Sequence, residues 1–207
     1  MATQTASAKR PAPDPATAQQ LQKLRETYAD APEVGRAGLD KMMPELEKAI
    51  RLAPKATTAR RIGLRSGKIS ELTLIMKFRP GGAKRLKALL ATLGGNFQGA
   101  DAVGTVHNMR FVFLENDTKL LFATAYDGDW DPYIEDFASK IPDALDVLLC
   151  DVEGFPGMHS PKIKEFLESL QIPADGWYVA NPELTVAETR RLKRIGPAVD
   201  ELLDKIG

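Results

Sequence analysis

The chain has 207 residues, 43% apolar and 27% charged, the balance of an ordinary globular protein and enough for one domain plus an extension. Its 28 Lys+Arg are matched by 28 Asp+Glu, so the basic excess of a nucleic-acid binder is missing, and the single cysteine, Cys150, excludes an intramolecular disulfide. No apolar run reaches the roughly 18 residues of a membrane span, and the opening "MATQTASAKRPAPDPATAQQ" lacks the apolar core of a secretory signal, so the cytoplasm is the expected location.

Residues 1–16, rich in Ala, Pro, Thr and Ser, read as a disordered tail. A helix is expected from Thr17 to about Asp30, with Leu21, Leu24 and Tyr28 at helical spacing, and a second over about 36–52, striped by Leu39, Met42, Met43, Leu46 and Ile50 and kinked or restarted at Pro44. Together with a basic, aperiodic linker through residue 68, which contains "KATTARRIGLRSGK", these form a helical arm over 17–68.

The period then changes. "ISELTLIMKF" reads as a strand ended by "RPGG", and "AKRLKALLATLGG" as a helix stopped by Gly94 and Gly95. "VGTVHNMRFVFL" and "KLLFATAY" read as two strands joined by "ENDT", which makes a β-hairpin. "DWDPYIEDFASKI" reads as a helix capped by Asp131 with Pro132 in its first turn, and "DALDVLLCDV" as a fourth strand with Cys150 buried in it. The order over 69–155 is β-α-β-β-α-β, a ferredoxin-like split unit in an α+β protein. A C-terminal helical extension, 156–207, holds "SPKIKEFLESL" and a last helix, "TVAETRRLKRIGPAVDELLDKI". Thr185 and Glu188 form a capping box for that helix, and a kink is expected at Pro197.

Alternation along the hairpin gives each strand two faces. Arg110 and Asn108 lie opposite His107, Met109 and Phe111. With Thr124 and Tyr126 of the next strand they are expected to form one polar patch, which puts Phe111 and Phe122 on opposite faces. Neither face is polar throughout, so both are expected to be covered, one by the crossover helices and the other by the arm, the C-terminal helices or a second copy of the sheet. A mid-strand arginine either pairs with a structural acid, here Asp146 or Glu153, or binds a ligand. Arg110 and His107 are therefore the candidate catalytic groups, and Asn108, Thr124 and Tyr126 the candidate ligand-binding ones. His107 and His159 are the only histidines and the candidate haem ligands or general bases. Asp127, Asp129 and Asp131 alternate like the start of a calcium loop, but Pro132 and Ala138 stand where that loop needs glycine and glutamate. "RPGGAKR" precedes a helix as a phosphate loop does, without the terminal lysine and serine.

The element order and two-sided patterning of residues 69–155 resemble the dimeric α+β barrel superfamily, which includes dye-decolourising peroxidases, chlorite dismutases and small cofactor-free monooxygenases. "YDGDW" does not reproduce the GxxDG haem-pocket signature of the peroxidases. The resemblance implies a homodimer with a pocket on the open sheet face for a small apolar ligand or haem, and oxidoreductase chemistry there. The alternative expectation is a non-catalytic interaction module whose helical arm docks a partner.

Overall fold

The computed structural model describes residues 14–52, 57–58, 63–94 and 97–206, so the tail at 1–13 and parts of the basic linker lie outside the described residues. The chain divides into two compact units, Met1–Lys55 and Ala56–Gly207. The first holds α1 (Pro15–Thr27) and α2 (Glu33–Leu52), which pack on each other. Asp14 caps α1 by accepting from the Ala16 and Thr17 amides, each at 3.1 Å, and Pro15 fills the first position, where a missing N–H costs nothing. Pro44 does not restart α2, which runs through it.

The second unit is α+β. Its sheet has strands β1 (Thr57–Thr58), β2 (Leu64–Ser66), β3 (Ile69–Lys77), β4 (Val106–Leu114) and β5 (Lys119–Asp127), in the order β1-β2-β3-β5-β4 with every pairing antiparallel. Part of the basic stretch, expected to be a plain connector, thus extends the sheet. Strands β3 and β4 are both antiparallel to β5, so they run parallel to each other with β5 between them. The hairpin is as the sequence indicated. Glu115, Asn116 and Asp117, all with positive φ (49°, 52° and 67°), turn the chain between its strands.

The helices of this unit are α3 (Gly82–Leu93), α4 (Gln98–Val103), α5 (Trp130–Lys140), α6 (Pro142–Leu149), α7 (Ile163–Leu170) and α8 (Val186–Ile206). Gly94 ends α3 in the left-handed conformation at φ 57°, as its glycine pair predicted. The expected fourth strand is not formed. "DALDVLLCDV" is α6 and the turn after it. Its buried residues are Leu145, Leu148, Leu149 and Val152, a helical spacing, while Val147 between them is exposed. Without that strand the ferredoxin-like order is not completed. The outer edge of β3 is met instead by β2 at one end and by single bridges from Leu74 to Gln171 and from Phe78 to Val152. Cys150, just past α6, is exposed rather than buried.

One sheet face carries the core. Leu72, Leu74, Met76, Leu120 and Tyr126 from the sheet pack with Leu86 of α3, Trp130, Tyr133, Ile134 and Phe137 of α5, Leu145, Leu148 and Leu149 of α6, and Ile163 and Leu167 of α7. Each fully buried large side chain stabilises the fold by roughly 1.5–3 kcal/mol relative to leaving it in water. Trp130 is fully buried in this cluster. Past α7 the chain leaves the β3 edge and reaches the second face. There the Ala174 amide donates to Glu71 (3.4 Å), and the Val186 amide donates to Asp127 (2.9 Å). This cover is partial. Asn108, Arg110 and Val112 of the edge strand β4 remain exposed on that face, against the expectation that both faces are closed.

Candidate functional site

The register of the hairpin decides whether the candidate residues can meet. Val106 pairs with Tyr126 and Asn108 with Ala125, so His107 is the extra residue of a β-bulge. Its Nε2 lies 2.7 Å from Asp127 Oδ1, and Asp127 Oδ2 accepts the Val186 amide at the start of α8. One carboxylate thus ties the edge strand to the last helix.

Beyond the bulge, Met109 pairs with Thr124, Arg110 with Ala123 and Phe111 with Phe122. Arg110 and Asn108 therefore face the second, open side, whereas Thr124 and Tyr126 face the core. The expected four-residue patch does not form, and Phe111 and Phe122 share one face with ring centroids 5.1 Å apart. Arg110 is exposed, with its Nη1 at 3.5 Å from Asn108 Oδ1. Neither expected acid is its partner: Asp146 accepts the Met158 amide at 2.7 Å instead, and Glu153 donates its own amide to Lys77.

Thr124 and Tyr126 are structural. The Thr124 hydroxyl donates to the Asn108 carbonyl (2.9 Å) and lies 2.8 Å from the Tyr133 hydroxyl, so Tyr133 is the donor of that second bond. Tyr126 stacks on Tyr133 at 3.7 Å between centroids and 8° between planes. Burial pushes both phenols well above their ordinary range, with the Glu71 charge adding to the effect at Tyr126. Both stay protonated at neutral pH and neither serves as a base.

Under Phe111 and Phe122 lies a cavity of about 30 Å³ walled by apolar side chains, among them Leu72, Leu74, Tyr133 and Leu145. Sites for drug-sized ligands occupy roughly 300–1,000 Å³ and offer several polar groups. This cavity is a packing gap within the core.

His159 is exposed in the loop before α7 and lines a shallow groove with Ile134, Glu135 and Lys164. That groove borders α5 on the core side of the sheet, so the two histidines lie on different sides. Two cations in α3 are paired within the chain: Arg85 forms a two-pronged pair with Asp151, and Lys87 reaches Asp117 at 2.6 Å. Gly82 is required there because a Cβ would come within 2.6 Å of Asp151 Cβ. The three alternating aspartates go to different partners: Asp127 to His107, Asp129 to Arg65 and Asp131 to Lys164. Among the described residues no cluster of three or more His, Cys, Asp or Glu side chains is placed to hold a metal ion.

A feature not read from the sequence lies in α8. Its start is firmly held. The Glu188 amide donates to Thr185 Oγ1 (3.1 Å), the Thr185 amide donates to Glu188 Oε2 (2.8 Å), and Lys68 Nζ donates to Glu188 Oε1 (2.8 Å). The Lys68 ammonium, and then the Thr185 amide and hydroxyl, hold the Glu188 carboxyl down to about 2. Past this anchor every residue from Arg191 to Ile206 is exposed. Yet Leu192, Ile195, Val199, Leu202 and Ile206 fall at alternating three- and four-residue steps, the spacing of a helix–helix seam, and are 39–71% exposed. Gly196 and Pro197 sit within this stretch and together cost roughly 4 kcal/mol of helix preference relative to alanine. An amphipathic helix of this composition draws its stability from covering its apolar stripe, and no described part of the chain covers this one. The seam was legible as spacing; its lack of cover was not. Among the described residues, no helix is long and apolar enough to cross a membrane.

Comparison of the chain with protein-family models, with curated proteins and with solved structures found no match.

Proposed function

We propose that this protein is a non-catalytic interaction module: a folded α+β body that presents α8 as a docking helix. The observation that carries this reading is the seam of Leu192, Ile195, Val199, Leu202 and Ile206, uncovered among the described residues, on a helix held at its start by Lys68 and Asp127. The sequence suggested a docking role for the N-terminal arm; the exposed seam favours the C-terminal helix. The competing expectation of an apolar-ligand or haem site with oxidoreductase chemistry rested on a pocket formed by Asn108, Arg110, Thr124 and Tyr126, and those residues are divided between two sheet faces. Kinship with the dimeric α+β barrel group is a separate proposal, supported by the arrangement of β5 between parallel β3 and β4.

The test places a photo-crosslinking amino acid at Val199 in the full chain, irradiated in cells. The expected result is a covalent product with a separate polypeptide, lost when Ile195→Glu and Leu202→Glu are added. Intramolecular products alone, or products unchanged by the two substitutions, would refute the reading.

A further inference from the structure

We infer that β4 is a docking edge for an extended segment of another polypeptide in which apolar and acidic residues alternate. The inference is independent of α8 and rests on three properties of the strand.

The first is an open main chain. β4 is the last strand of the sheet, and among the described residues only β5 pairs with its main chain. In an antiparallel edge strand every second residue turns its N–H and C=O away from its neighbour. A row of donors and acceptors therefore faces outward along Val106–Leu114. An extended segment laid alongside satisfies both kinds of group.

The second is composition. Proteins ordinarily blunt a sheet edge with proline, bulges or charges. The bulge at His107 guards one end of β4 only. From Met109 to Leu114 the strand has no proline, no bulge and a single charge, Arg110. Met109, Phe111 and Phe113 on the core side are half-buried, and Val112 on the other side is exposed. Apolar side chains of an incoming strand lie beside the core-side row and take it further out of water.

The third is charge. The exposed Arg110 guanidinium meets the Asn108 amide oxygen at 3.5 Å and no acid among the described residues. β4 itself contains neither Asp nor Glu, so a second β4 laid against it supplies no partner for Arg110. An incoming strand with an acid on the Arg110 face supplies one, and alternation then sends its apolar residues to the Met109, Phe111 and Phe113 side. Arg110 thus disfavours self-pairing and selects a strand that bears acids.

The experiment titrates a fluorescent synthetic peptide of about ten residues, the upper length of a usual strand, with valine and glutamate alternating, against the full purified chain. Anisotropy is expected to show saturable binding, and hydrogen exchange to slow at β4 amides when the peptide is bound. Arg110→Glu replaces a cross-strand ion pair by a like-charge pair and is expected to weaken binding roughly tenfold. The same variant is expected to capture a peptide of alternating valine and lysine. The valine–glutamate peptide with every backbone amide N-methylated keeps its charge but donates no main-chain hydrogen bond, and is expected not to bind. Fluorescence of Trp130, buried in the sheet core, checks that the variant retains its body. The inference is overturned by a peptide that does not bind, by binding that Arg110→Glu leaves unchanged or the N-methylated peptide retains, and by a valine–lysine peptide that the variant fails to capture. It is overturned equally by a wild type whose β4 amides are already protected through self-association, which would make a second copy the occupant.

Discussion

Truncating Phe111 and Phe122, singly and together, tests the register on which the reading of the hairpin depends. The two residues are directly paired across β4 and β5, with rings 5.1 Å apart and tilted by 43°, and both border the same core cavity. Replacing a buried phenylalanine by alanine costs roughly 3–5 kcal/mol. Both side chains here are only half-buried, so the lower end, about 3 kcal/mol each, is expected. An aromatic pair at this separation contributes about 0.5–1.5 kcal/mol beyond its area. The double variant is therefore expected to cost about 1 kcal/mol less than the sum of the singles, because the second truncation removes a contact already lost. Phe111 also stacks on Phe97 at 5.9 Å, so its loss is the larger of the two. Urea denaturation followed by tryptophan fluorescence reports on the sheet unit alone, because both tryptophans, Trp130 and Trp177, lie in it. Additivity within about 0.3–0.5 kcal/mol, the behaviour of residues with no shared contact, would place the rings on opposite faces and refute the register.

Two further outcomes follow from the same geometry. Arg110→Met is expected to change stability by no more than about 0.5 kcal/mol in the same urea assay, since the side chain is exposed and strands no buried acid; a loss of about 3–5 kcal/mol would reveal a buried pair instead. The Glu188 carboxyl sits at about 2 in the folded chain, against 4.5 when unconstrained. A depressed folded value stabilises the fold above the unfolded value and ceases to do so as pH falls through the folded one. Hydrogen exchange at the first turn of α8 is therefore expected to accelerate as pH falls from about 4.5 towards 2, relative to the pH trend of the intrinsic rate, and Glu188→Gln should flatten that excess; an unchanged excess in the variant would remove Glu188 from the anchoring of α8.

The parts of the fold that were legible are those set by local chemistry. Glycines stop α3, alternation marks the hairpin strands, and the Thr185–Glu188 box opens α8. What was hidden depended on relations between segments. Alternation gives each strand two faces but does not say which face of β4 meets which face of β5. The left-handed turn at Glu115–Asp117 decides that: it pairs Leu114 with Lys119 and so sends Arg110 and Thr124 to opposite sides. The apolar run at 143–152 is short enough to suit strand or helix, and the spacing of Leu145, Leu148, Leu149 and Val152 was the signal that favoured helix. The terminal helix shows the converse. Its seam is plain in the sequence, yet an apolar stripe ordinarily implies a place in the core, and from spacing alone it is indistinguishable from the stripe of α5. Only the fold shows that the α5 stripe packs on the sheet while the α8 stripe projects beyond it. The informative quantity is therefore the mismatch between pattern and cover. A helix that carries a seam at its own expense, with Gly196 and Pro197 in its middle, gains from that seam only when a second surface closes over it.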